Sequence, residues 1–166
     1  EFIVDGDIIY LDAGTTTMHV IEYIPDNINI TIVTHNVYII SKVFEKPNIR
    51  LVVLPGVLNR RTNSLTDTST VTELSKYQHT KAFMGASGVT EDGKLSVSNY
   101  MEYEIKRKAL AQSKQTFLLV DASKFGESNL MSYGNLTQMS MVITDSRIPD
   151  EYRDYCEKQK IPLIIV

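Results

Sequence analysis

The densest grouping of anion-binding side chains in the sequence is Asp12-Ala13-Gly14-Thr15-Thr16-Thr17, which follows the apolar run Ile8–Leu11 and leads into a helix-like stretch from Thr16 to Tyr23. A glycine turn at the end of a strand lets backbone amides approach an anion, and the hydroxyls and the helix start supply donors and positive potential. That is the chemistry of a phosphate cradle. Thr15 or Thr16 acting only as a helix N-cap is the alternative reading. Four further groups carry the same kind of chemistry. Thr34-His35-Asn36 offers a hydroxyl and an amide that either read a ligand or cap a helix. Arg60 and Arg61 offer planar guanidinium groups suited to bidentate phosphate contacts, or else a solvated surface pair. Gly85-Ala86-Ser87-Gly88 is small enough to leave room for a ligand, or to form a tight turn. Glu102 and Lys106 lie one helical turn apart, as ligand-facing charges or as an ordinary surface ion pair, and Asp121-Ala122-Ser123-Lys124 adds another carboxylate and ammonium.

The elements that must position these groups are legible as short β-branched runs separated by helix-like stretches. Strands are expected at Ile8–Leu11, Ile30–Thr34, Arg50–Leu54, Lys81–Gly85, Phe117–Val120, Met141–Thr144 and Leu163–Val166. Helices are expected at Thr16–Tyr23, Asn36–Phe44, Ser69–Tyr77, Glu102–Gln112 and Pro149–Gln159. This alternation predicts one α/β domain over residues 1–166, with a mostly parallel sheet and helices on both faces. Each chemistry-bearing group then falls at the carboxyl end of a strand, and in an open α/β sheet those ends line one ligand-binding crevice. The polar connection Gly56–Thr68 is expected to form a lid or a small side element.

Composition narrows the function. The chain has 17 basic and 20 acidic residues, well mixed, for a net charge of −3, so it carries no electrostatic footprint for DNA or anionic membranes. Its apolar runs are strand-length, far below a membrane span, and no secretory signal is visible. The single Cys156 excludes an internal disulfide and lacks companions for a zinc site, which fits a reducing cytoplasm. His19, His35 and His79 have no metal-site spacing and read as solvated or packed residues, so neither a metal nor a cofactor is expected. The first residue is Glu1 and the last four read as a buried strand, so a partner domain ahead of this segment is expected.

The order of blocks LDAGTTT from Leu11, ITIVTHN from Ile30, LPGVLNRRTNSL from Leu54, KAFMGASGV from Lys81, EYEIKRKAL from Glu102, LLVDASKFG from Leu118 and VITD from Val142 resembles the sensor domain of DeoR-type repressors across nearly the whole chain. The resemblance implies a ribose-5-phosphate-isomerase-like fold, a phosphorylated sugar or similar anionic metabolite as effector, and a winged helix-turn-helix module through which the full-length protein would meet DNA. It also implies a homodimer or homotetramer. Carried over by motif, Asp12, Gly14, Thr15, Thr16 and Thr17 form the phosphate-side loop, and Thr34 and Asn36 the second strand-end motif. Gly85, Ser87 and Gly88 match the central small-residue motif, Glu102 and Lys106 the acidic helix start, and Asp121 and Lys124 the late motif; Arg60, read from its guanidinium chemistry and not from the motif, joins the effector-binding set. Val57 and Asp67 depart from the pattern, standing where the family carries glycines, which implies a different shape for the loop between them.

The reading from sequence is therefore a non-catalytic effector-binding domain. Two alternatives stay open: an isomerase-like enzyme using carboxylates and lysines from the same set, and a domain that only oligomerises.

Overall fold

A strand segment buried on both faces must be apolar, and the short apolar runs supply such segments to a seven-stranded, fully parallel sheet, in which β6 and β9 begin in polar residues ahead of the runs read from sequence. The computed structural model describes residues 2–166. The sheet contains β1 (Ile8–Leu11), β2 (Ile30–Thr34), β3 (Ile49–Val53), β6 (His79–Met84), β9 (Ser113–Leu119), β11 (Met141–Thr144) and β12 (Leu163–Ile165), in the spatial order β12-β11-β9-β6-β1-β2-β3. The chain starts in the middle of the sheet, runs outward through β2 and β3, and returns to place β6 on the other side of β1. The reversal of strand order therefore lies between β1 and β6, the position at which open α/β sheets form a crevice at their carboxyl edge.

Alternate residues of each central strand feed two separate cores. Ile9 and Leu11 pack with Ile32, Phe83 and Phe117 under α1 (Val37–Val43) and a 3₁₀ helix, Thr17–Tyr23. Tyr10, Val33, Ala82 and Met84 pack with Leu118 on the opposite face, under α2 (Thr68–Leu74), α3 (Tyr100–Ala111) and α4 (Asp150–Gln159). The expected α/β class with helices on both faces is what forms. One helix differs in kind: the segment after Gly14 winds as a 3₁₀ helix, and Thr16 at its start makes no side-chain capping bond.

Two small elements, invisible as apolar runs, complete the molecule. The polar connection after β3 is an antiparallel hairpin of β4 (Val57–Asn59) and β5 (Ser64–Thr66). Its turn is stitched onto the start of α1 by Val37 N–H donating to Asn63 O at 2.9 Å, and its return strand by Leu65 N–H donating to His35 O at 2.8 Å. The two departures from the family pattern fit this shape. Val57 sits exposed on β4, and Asp67, in extended backbone, caps α2 by accepting from Ser69 N–H and closing a capping box with Thr70. A three-stranded antiparallel sheet of β7 (Gly88–Val89), β8 (Lys94–Val97) and β10 (Met131–Asn135) packs beside α3. Among the described residues no helix is long and apolar enough to cross a membrane.

Candidate functional site

The carboxyl ends of β1, β2, β6 and β9 surround a cavity of about 440 Å³, within the range that holds a small metabolite. Its floor is the reversal point. Gly14 and Gly85 lie side by side there, and a β-carbon on Gly14 would meet Thr17 Oγ1 at 3.1 Å. Asp12, at the end of β1, is 1% exposed and forms an ion pair with Lys106 from α3. Its Oδ2 also accepts from Gly85 N–H at 2.9 Å, while Lys106 donates to Gly85 O at 3.0 Å. Burial alone would push the Asp12 carboxyl up, but the Lys106 ammonium, with the Gly85 amide, holds it below its ordinary value. Asp12 and Lys106 are thus a mutually neutralised pair, with Asp12 Oδ2 held by both the ammonium and the Gly85 amide.

Above this floor the walls carry groups that are not so engaged. Thr15 and Thr16 are exposed at the rim of the first loop. On the β2 side the cavity is lined by Arg61, Thr62 and Asn63 of the hairpin turn and by buried Ser64 at the start of β5, the Thr62 and Ser64 hydroxyls being hydrogen-bonded to each other at 2.7 Å. Glu102, Asp121 and Lys124 close the β9 side. Among the described residues neither Arg61 nor Lys124 belongs to an ion pair, and Glu102 does not pair with Lys106 despite the helical spacing, because Lys106 turns inward to Asp12. Asp121 also caps the short 3₁₀ turn Ala122–Lys124, accepting from Ser123 N–H at 2.9 Å. His35, 3% exposed, lines the cavity with its ring stacked on Tyr10, and burial lowers its pKa to about 4, so it stands neutral at pH 7.

The cavity brings together Asp12, Gly14, Thr15, Thr16, Asn36, Gly85 and Ser87, and with them Glu102, Lys106, Asp121 and Lys124. Four other expected site residues do not line it. Thr17 is fully buried, its hydroxyl donating to the carbonyls of Asp12 at 2.9 Å and Gly14 at 3.0 Å, so it shapes the loop from within. Thr34 likewise donates to Leu11 O at 2.7 Å and accepts from Asn36 N–H. Gly88 is covered by the Glu127 carbonyl, and a β-carbon there would fall 2.8 Å from Asn129 Nδ2. Arg60 is exposed outside the cavity, and its neighbour Arg61 takes the lining position, since successive residues of the turn point in different directions. Asn36 both caps and lines: its Oδ1 accepts from Ile39 N–H, which leaves its amide nitrogen as the group available to the cavity.

Comparison with known proteins decides the family. A family model described as the DeoR C terminal sensor domain matches residues 1–146. The chain belongs to the DeoR C-terminal sensor domain family. Its relatives include the HTH-type transcriptional regulator IolR of Bacillus subtilis (strain 168), 35% identical over 161 residues, covering 97% of this chain and 64% of that protein. The glycerol-3-phosphate regulon repressor of Escherichia coli (strain K12) is 29% identical over 149 residues, covering 90% of this chain and 59% of that one. This DeoR-type chain therefore spans less than two thirds of the length of these relatives. In fold it is similar to ribose 5-phosphate isomerase A from Neisseria gonorrhoeae, with a TM-score of 0.51, 17% identity and coverage of 78% of this chain and 49% of the other.

Two outcomes follow from the DeoR-type site's electrostatics. Lys106→Met strands a buried carboxylate and should cost about 3–5 kcal/mol in urea unfolding at pH 7; the loss should shrink toward pH 4 as Asp12 takes up a proton, and a pH-independent loss would contradict the pairing. Separately, the unfolded chain binds protons at its histidines below about pH 6.5 that folded His35 and His79 refuse until about pH 4. Stability should thus be complete above pH 6.5 and fall as the pH drops toward 4. His35→Asn should flatten that slope, and an unchanged slope would show that His35 titrates normally.

Proposed function

We propose that this domain is the ligand sensor of a sugar-responsive transcription regulator and that its cavity holds a phosphorylated sugar or a closely related anionic metabolite. One observation carries the reading: the Gly14–Thr16 turn shares a cavity with Arg61 and Lys124, two cations that form no ion pair among the described residues. Unpaired cations over free hydroxyls suit an anion, and Glu102, Asp121 and the Asn36 amide suit the hydroxyls of its carbon chain. The ligand's phosphate docks at the Gly14–Thr16 turn, and because the following helix is a short 3₁₀ segment, the site relies on hydroxyls, amides and Arg61 more than on a helix dipole. The relative named for the glycerol-3-phosphate regulon is consistent with such a ligand.

In the full-length protein, ligand binding would shift the orientation of a winged helix-turn-helix module, which requires different affinities in the DNA-competent and DNA-incompetent states. A homodimer or homotetramer fits symmetric operators. For an isomerase-type proton transfer, Asp12 is a weak base, because Lys106 holds its carboxyl below the ordinary value, and the base would have to be Glu102 or Asp121. A domain that only oligomerises would leave the cavity's unpaired cations without a role.

A thermal-shift screen against triose, pentose and hexose phosphates, with the unphosphorylated sugars as controls, tests the proposal. A sensed ligand at about 100 times its Kd should add roughly 2.7 kcal/mol of stability. Thr16→Glu should abolish that stabilisation by anion repulsion while changing the free protein by no more than about 0.5 kcal/mol, since the side chain is exposed and caps nothing. Stabilisation by sugars irrespective of phosphate, or by none of the panel, would overturn it.

A further inference from the structure

The floor of the cavity rests on a residue that does not line it. Tyr133 lies on β10, 4% exposed, and its hydroxyl donates to Gly85 O at 2.9 Å. That is the same carbonyl that accepts from Lys106 at 3.0 Å. The Tyr133 ring also stands beside the ammonium, with Lys106 Nζ 5.6 Å from the ring centroid. Phenol and ammonium therefore converge on one glycine carbonyl whose own amide is bound to Asp12.

The way Tyr133 reaches this place is itself a built feature. Pairing between β10 and β8 sets Ser132 opposite Ser96 and Gly134 opposite Leu95, so Tyr133 is the extra residue of a bulge. Bulges re-aim a side chain and recur beside functional sites. At the next residue the strand runs close to α3, the helix that carries Lys106 and Glu102: a β-carbon on Gly134 would fall 2.8 Å from Leu110 Cδ2. The bulge turns the phenol inward, on a strand that lies close against α3.

We propose that Tyr133 is a positioning residue for the ligand cavity: delivered by the β10 bulge, it fixes the Gly85 carbonyl and seats the Lys106 ammonium against Asp12 without touching the ligand. Two of the three Lys106 N–H donors are used by Asp12 and Gly85, and holding them there sets where the third points. The small antiparallel sheet is then a support of the site rather than an appendage. The part of this inference that concerns ligand affinity rests on the proposed function.

The test uses pulsed acetylation of lysines, read peptide by peptide by mass spectrometry, on the wild type, Tyr133→Phe and Tyr133→Leu. In the wild type Lys106, with 9% of its side chain exposed, should react far more slowly than Lys76 and Lys94, whose side chains are 61% and 56% exposed. Losing the hydroxyl in Tyr133→Phe removes one hydrogen bond and should speed Lys106 labelling about fivefold. Losing the ring as well in Tyr133→Leu should speed it further. Lys81, paired with Asp7 at the opposite edge of the sheet, should keep its wild-type rate. A parallel rise at Lys81 would mean general loosening and would overturn the assignment, as would unchanged Lys106 labelling in both variants or fast labelling in the wild type. The same proteins titrated with the panel of sugar phosphates should show Tyr133→Phe binding about fivefold more weakly. If the wild type binds none of them, the cavity reading falls while the labelling still decides the role of Tyr133.

Discussion

The buried ion pair between Asp12 and Lys106 is the constraint on which the rest of the site depends. It joins the carboxyl end of the central strand to a helix 94 residues further along the chain. Two charges so deeply buried lose most of their hydration, and their mutual attraction offsets that loss only with good geometry and further hydrogen bonds. Gly85 supplies both further bonds, its amide to the carboxylate and its carbonyl to the ammonium, and Tyr133 braces the same carbonyl from the far side. Such a pair contributes little net stability compared with an apolar core, but it tolerates only one arrangement of β1, β6 and α3. The cavity inherits its floor from that arrangement.

The pair also decides which groups are left for a ligand. With Lys106 turned inward, the positive charge facing the cavity comes from Arg61 on the hairpin and Lys124 after β9, and the carboxylate on α3 facing it is Glu102. His35, kept neutral by burial, adds shape and polarity but no charge at neutral pH. Arg61 and Lys124 stand over opposite ends of a row of strand ends, β2 on one side and β9 on the other. The two cations thus sit on short connections at the rim and Glu102 on the first turn of α3, while the strands beneath supply rigid spacing.

Much of this was legible in the sequence because burial on both faces forces the central part of each strand to be apolar, while the polar starts of the strands at His79 and Ser113 were not. Ile8–Leu11, Ile30–Thr34 and Met141–Thr144 form as read, and the convergence of Asp12, Gly85 and Asp121 followed from parallel topology alone. What stayed hidden depends on direction and register. The helical spacing of Glu102 and Lys106 suggested that they would pair, yet a long-range carboxylate wins Lys106. Thr17 and Thr34 have the right type and place but turn their hydroxyls onto backbone carbonyls. Of two adjacent arginines, the turn of the hairpin selects Arg61 over Arg60. The hairpin and the antiparallel sheet are short strands held by contact with larger elements, and no local pattern signals a bulge that aims Tyr133. His35 carried one clue, its place between two strand-end polar residues.

The most direct test of the account is amide chemical-shift mapping of the domain titrated with inorganic phosphate as the minimal anion, followed by sugar phosphates. Saturable shifts at Gly14, Thr15, Thr16 and the hairpin turn around Arg61, with none at Asn29 and Arg50 on the opposite edge of the sheet, are the predicted result. Shifts confined to that opposite edge, or no saturable shift at the Gly14–Thr16 turn with any phosphate, would contradict the claim that this cavity is the anion site.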